Sequence, residues 1–164
     1  MLRMEIALFF VLFFVACIYF SAGRKNTPLH KTFSVLLLTM LVHLVLDGIT
    51  VYTVHHLETV PLFLNDMFHR VFIGSLVLVV YLFYRYIAIL VEEESGKLQK
   101  FSVPSKLFLI LVEFGVILFP VRYVVTPAGN YSDGYHAKVC YVVMAFYLFL
   151  CVWLLICNWS QIDK

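Results

Sequence analysis

Charged side chains are scarce in this sequence. Only 13% of the 164 residues are Asp, Glu, Lys or Arg, whereas 63% are hydrophobic. Soluble domains carry about a quarter charged residues and are nearer half apolar. The composition therefore excludes an ordinary soluble domain and predicts an integral membrane protein whose first partner is the lipid bilayer. A net charge of +2, without a basic tail, gives no indication of a nucleic-acid partner.

Motifs that bind metals or exchange thiols are also missing. The four cysteines lie singly in apolar runs and form no CxxC pair: Cys17, Cys140, Cys151 and Cys157. Buried cysteines of this kind act as small hydrophobic residues. Neither HExxH nor paired CxxC spacing is present. The sequence therefore predicts no metal site, no cofactor and no catalytic residue.

Long apolar stretches are what the chain has in abundance. A transmembrane helix needs about 20 predominantly apolar residues, and five stretches approach this length: residues 5–20, 33–54, 67–91, 105–125 and 138–159. The first could instead be a signal peptide cleaved near "FVAC", but its apolar run continues past Cys17 and basic residues follow. We predict an all-α fold, a polytopic membrane bundle of about five helices forming a single domain over residues 1–164.

The orientation follows from the basic residues, which favour the cytoplasmic side of a membrane. The connections after the first and third stretches contain several Lys and Arg, whereas the connections after the second and fourth contain only Lys138. This pattern predicts the N terminus outside and the C terminus inside, as five spans require. Eight of the twelve Lys and Arg then lie on the inner side: Arg24, Lys25, Lys31, Arg85, Lys97, Lys100, Lys106 and Lys164.

One polar stripe interrupts the second apolar stretch. Thr39, His43, Asp47 and Thr50 follow helical spacing, so we expect them on one face. Ionisable groups at membrane depth are costly and nearly always face the bundle interior, where they find partners. The stripe is therefore predicted to point inward.

Partners for the stripe come from the third and fourth stretches. His69 and Arg70 begin the third stretch, Glu113 lies in the middle of the fourth, and Arg122 lies near its outer end. We expect Asp47 to pair with Arg70, with Arg122 or with His43, and Glu113 to be neutral or bonded to His43 or a tyrosine hydroxyl. Three interpretations stay open: packing between helices, a polar cavity open to the outside that binds a small ligand or senses protons, and an ion pathway.

The run "LDGITVYTVHHLETVPLFLNDMFHRVF" resembles the N-terminal membrane region of bacterial, mainly Clostridia-like, signalling proteins, in which such a region precedes a GGDEF or EAL output domain. "GNYSDGYHAKVCYVV" resembles a second mark of that group, which usually carries a Gly-Pro near Tyr135-His136. The resemblance spans roughly residues 30–160. The residues of the matching run are Asp47, Tyr52, His56, Pro61, Asn65 and His69.

This resemblance implies a sensory input domain of the bacterial cytoplasmic membrane, and not an enzyme. It would pass its signal to a cytoplasmic output domain, such as a diguanylate cyclase of cyclic di-GMP signalling, located beyond Lys164 or in a second chain. A homodimer is compatible with the many apolar faces. The main alternative is a small-solute or ion transporter or a transporter subunit, in which Gly48 beside Asp47 would unwind a helix. A membrane enzyme and an assembly protein are further alternatives.

Overall fold

Five helices and one β-hairpin make up the described part of the chain. The structure is a computed structural model that describes residues 3–23, 26–96, 102–126 and 129–159. In chain order the elements are α1 (Arg3–Ser21), α2 (Pro28–His55), α3 (Leu62–Ser95), α4 (Ser102–Leu118), β1 (Arg122–Thr126), β2 (Gly129–Asp133) and α5 (Tyr135–Cys157). The predicted all-α character is confirmed, with the hairpin as the exception.

The ends of the long helices follow from local sequence. Thr27 caps α2, because its side-chain oxygen accepts a hydrogen bond from the His30 backbone N–H at 3.3 Å, and Pro28 suits the first helical position. Gly96 ends α3 in the left-handed conformation (φ 66°), and its N–H donates to the Glu92 carbonyl at 3.0 Å. Gly96 is therefore the C-cap of α3.

Helix α3 is the centre of the fold. It packs against α2, α4 and α5, while α1 packs against α2. The core where α3, α4 and α5 meet contains Val77, Tyr84 and Tyr147, none of which has any exposed surface. The Tyr147 hydroxyl donates to the Ser105 carbonyl at 2.8 Å and so ties α5 to the start of α4. The C-terminal ends of α3 and α5 consequently lie on the same side.

Four helices, α1, α2, α3 and α5, are long and apolar enough to cross a membrane. Helix α4 has 17 residues and spans about 25 Å, at the short end of the range for a membrane helix. The predicted helix does not extend to residue 125, because residues 122–126 form strand β1. Helix α4 ends at Leu118 because Pro120 disfavours helical backbone at the preceding residue.

The chain then turns into the hairpin, in which Arg122 pairs with Asp133 and Val124 with Tyr131. The C-terminal end of the predicted fourth span is thus strand β1, and the predicted connection after it contains strand β2. The hairpin packs against α2 through β2. It covers the end of the bundle at which α3 begins.

The surface of the helices is apolar, as a lipid environment requires. Phe10, Val11 and Phe14 on α1 and Val142 and Phe149 on α5 are all more than half exposed. The predicted orientation rests partly on five basic residues outside the described ranges, namely Arg24, Lys25, Lys97, Lys100 and Lys164. The orientation therefore stays a prediction.

Candidate functional site

An open groove of about 640 Å³ lies on α3, between α2 and α4. We call it the lateral groove. Its walls are mostly apolar, and Leu38, Val42, Val71 and Ile117 on its rim are each half exposed or more. Exposed apolar side chains of this kind suit contact with lipid tails. The groove is thus a candidate binding site between helices, with mostly apolar walls.

Glu113 of α4 is the acidic side chain in the lateral groove. It lies against Gly74 of α3, so closely that a Cβ atom added at Gly74 would come within 2.8 Å of Glu113 Oε2. A glycine at this position therefore makes room for the carboxyl group. Within the described ranges, no hydrogen bond or ion pair involves Glu113. The predicted bonds to His43 or to a tyrosine hydroxyl are wrong.

Arg70 lines the lateral groove and joins α3 to the end of α4. Its Nε donates to Asp66 Oδ2 at 2.8 Å, and its Nη1 donates to the carbonyls of Val116 and Ile117 in the last turn of α4. Those carbonyls have no partners within their own helix, so Arg70 caps α4. The predicted pair between Asp47 and Arg70 is wrong, because Asp66 occupies that role one turn away.

His43 faces α3, as the inward stripe predicts. Its Nδ1 lies 2.8 Å from Ser75 Oγ, and its ring stacks on Phe72 with 5.0 Å between the centroids. The Ser75 hydroxyl donates to the Phe72 carbonyl at 2.7 Å, so Ser75 Oγ accepts the proton of His43 Nδ1. This hydrogen-bond chain crosses from α2 to α3 beside the groove, since Ser75 is also one of its lining residues.

Asp47 departs from the rest of the stripe. Four residues along an α-helix turn it by about 40° beyond a full circle, which rotates Asp47 from His43 towards α1. Glu5 of α1 is the charged side chain in its surroundings. Helix α2 is continuous through Asp47 and Gly48 and lacks the local unwinding that the transporter alternative includes.

A buried polar cluster lies under the hairpin, on another face of α3. Asn65 has no exposed surface and His69 is 6% exposed. Four buried polar atoms have no hydrogen-bond partner within the described ranges: Oδ1 and Nδ2 of Asn65, Nδ1 of His69 and the hydroxyl oxygen of Tyr123. The rings of His69 and Tyr123 meet edge to face at 6.3 Å. An unpaired buried polar group costs about 1–3 kcal/mol. A bound molecule that formed hydrogen bonds with these groups would remove that cost, so this cluster is a second candidate site.

Tyr123 lies on strand β1, outside the membrane-crossing helices. Burial raises its pKa to about 12, and the nearby Asp66 carboxylate adds to the increase while Arg70 opposes it. The phenol therefore stays protonated at physiological pH and can donate or accept a hydrogen bond in the cluster.

The other residues predicted from sequence lie apart from both sites. Arg122 is exposed at the start of β1 and forms no ion pair with Asp47. Tyr52 and His56 stack at 4.3 Å on the exposed end of α2, and Pro61 precedes the first residue of α3. In the described part of the chain, no three His, Cys, Asp or Glu residues gather to hold a metal ion.

Four participants were not found from the sequence: Asp66, Gly74, Ser75 and Tyr123. The adjacent small residues Gly74 and Ser75 inside an apolar helix were the available signal, because small residues mark close approach between membrane helices. Asp66 and Tyr123 gave no such signal, since their roles depend on how the hairpin and α4 fold back on α3.

Comparison of the chain with protein-family models, with curated proteins and with solved structures gives no match.

Proposed function

We propose that this chain is a sensory input domain of a bacterial cytoplasmic membrane. It detects a membrane-dissolved signal in the lateral groove and passes it to a cytoplasmic output domain, beyond residue 164 or in a second chain. The observation that carries this proposal is the continuity of α3. This helix contributes Arg70, Gly74 and Ser75 to the groove and then runs unbroken to Ser95.

Helix α3 is long enough to connect a signal in the groove to the opposite side of a membrane. Its 34 residues span about 51 Å, more than the thickness of the hydrocarbon core. A packed helix of this kind moves as a unit, and shifts of about 1–2 Å are a common form of switching. A ligand that fits one position of α3 better than another would shift the population between the two.

Arg70 supplies the coupling between the groove and the moving helix. The Arg70 guanidinium holds the end of α4, while its backbone belongs to α3. A ligand that changes the distance between α3 and α4 would therefore act on this attachment. The core shared by α3 and α5 would carry the shift to the inner end of α5. The resemblance of the run around residues 46–72 to membrane regions of signalling proteins supports a diguanylate cyclase or a related enzyme as the output.

Distance measurements between the inner ends of α3 and α5 test this proposal. One spin label is placed on Glu93→Cys and the other on the native Cys157, both exposed, with the other three cysteines replaced by alanine. The protein is reconstituted in nanodiscs and measured by pulsed electron resonance with and without dodecylamine as the probe. We expect the distance distribution to shift by about 2 Å.

An unchanged distribution, with the groove demonstrably occupied, would reject the sensory proposal. The same preparation with Glu113→Gln serves as the control, since it should not respond to the probe. Uptake of radiolabelled dodecylamine into sealed vesicles, faster than into protein-free vesicles, would instead favour the transporter alternative.

A further inference from the structure

The chemistry of the lateral groove restricts what it can bind. Its walls are apolar, and its volume of about 640 Å³ lies within the range of about 300–1,000 Å³ common for small-molecule sites. Few polar side chains line it: Thr39 of α2, Arg70 and Ser75 of α3, and Glu113 of α4. An occupant therefore needs an apolar body and a single polar end.

The charges of the groove determine the sign of that polar end. Arg70 is already paired with Asp66 at 2.8 Å, and these two charges cancel. Glu113 has no ion-pair partner among the described residues, so the groove and its immediate surroundings carry one net negative charge when that carboxyl is ionised. An uncompensated charge in an apolar setting is costly, and an opposite charge at contact distance relieves the cost.

We infer that the lateral groove binds a lipophilic monocation, with an ammonium group on the Glu113 carboxylate and an alkyl chain along the apolar walls. Gly74 positions the carboxylate, because any larger residue there would press on Glu113 Oε2. The inference deepens the proposed sensory function by naming the ligand class of the same groove. Binding and signalling are separable, since a ligand can occupy the groove without moving α3.

Photolabelling in nanodiscs tests the inference directly. The probe is a dodecylamine that carries a diazirine in its chain, and the matched probe is the corresponding dodecanol, which has the same chain without the charge. Labelled residues are identified by mass spectrometry, and dodecylamine serves as competitor. We expect saturable labelling by the amine on α2, α3 and α4 at the groove walls.

Glu113→Gln keeps the size of the side chain and removes its charge. We expect it to weaken amine binding by about tenfold or more, the factor that about 1.4 kcal/mol represents, and to leave dodecanol labelling unchanged. Glu93→Gln, at an exposed site on the last turns of α3, is the matched control and should bind the amine normally. Gly74→Ala is the second variant, expected to weaken amine binding several-fold by displacing the carboxylate.

Equal affinity of the amine for the native protein and for Glu113→Gln would overturn the inference. So would labelling that never saturates, which would mean that the amine only dissolves in the lipid. Crosslinks from groove residues to a second copy, in place of probe, would assign the groove to a protein interface. Failure of the sensory proposal alone would look different: normal, Glu113-dependent binding without a change in the distance between α3 and α5.

Discussion

Asp66 and Arg70 form an ion pair one turn apart on α3, with 2.8 Å between Oδ2 and Nε. The pair lies where α3 meets the end of α4, and Nη1 of Arg70 donates to two carbonyls of that end. Asp66 thereby fixes the direction in which the guanidinium points. Arg70 thus supplies a polar attachment of α4 to α3, beside the apolar contacts of Val112 and Val116 in the shared core.

We expect Arg70→Ala to lower the free energy of unfolding by about 1–3 kcal/mol, because it leaves Asp66 and the carbonyls of Val116 and Ile117 without a partner. Arg70→Lys should recover only part of the loss, since an ammonium group lacks the planar fork that reaches several acceptors. Unfolding in detergent, followed by circular dichroism, measures both. Arg122→Ala, at an exposed site, should change stability by less than about 0.5 kcal/mol.

The hydrogen bond between His43 and Ser75 should appear as a coupling energy between α2 and α3. In a double-mutant cycle with His43→Leu and Ser75→Ala, we expect a coupling of about 0.6 kcal/mol and no more than about 1.7 kcal/mol, as measured for such bonds between membrane helices. A cycle with Thr39→Val and Ser75→Ala is the control, because Thr39 bonds to the Val35 carbonyl of its own helix. Coupling of zero in the first cycle would contradict the observed contact.

Tyr123 makes the stability fall at high pH. Its pKa is raised from 10.0 to about 12, so the folded chain holds the phenol proton more tightly than the unfolded chain does. Its contribution to stability is complete below pH 10 and is lost as the pH rises towards 12. The absorbance of tyrosinate near 295 nm, recorded for the native protein and for Tyr123→Phe, should differ by one group that titrates near pH 12.

Tyr123→Phe also tests the buried polar cluster. Because the Tyr123 hydroxyl has no partner in the described part of the chain, its removal should leave stability at neutral pH unchanged or higher. Tyr131→Phe is the control at an exposed site of the same hairpin. A clear loss of stability in Tyr123→Phe would mean that water or a bound molecule satisfies this hydroxyl.

The predicted orientation places the hairpin outside and the end of α3 inside. In a cysteine-free background, Tyr131→Cys should react with a membrane-impermeant maleimide on intact spheroplasts, whereas Glu93→Cys should react only after permeabilisation. Both positions are exposed, so accessibility alone does not distinguish them. The reverse pattern would invert the bundle and move the proposed output to the other side.

The helices could be predicted from the sequence because apolar stretches of 20 residues have few alternatives to membrane helices. The inward direction of His43 followed from the cost of burying an imidazole among lipids. Its partner did not, because the sequence pointed to the charged side chains Asp47 and Glu113, whereas the structure pairs His43 with the uncharged Ser75. The end of the fourth helix was placed too far along the chain, since "VRYVV" is as apolar as a helix interior and equally suited to a β-strand.

The sequence by itself determined that this chain is helical and membrane-embedded, because hydrophobicity over 20 residues is a local property. Only the tertiary structure decided what surrounds each polar side chain. Arg70 meets Asp66 and the end of α4, and Glu113 lies against Gly74. Pairing depends on the rotation of each helix about its axis and on where α4 stops. Those quantities are set by packing between distant segments, and a 40° turn between His43 and Asp47 is enough to send one towards α3 and the other towards α1.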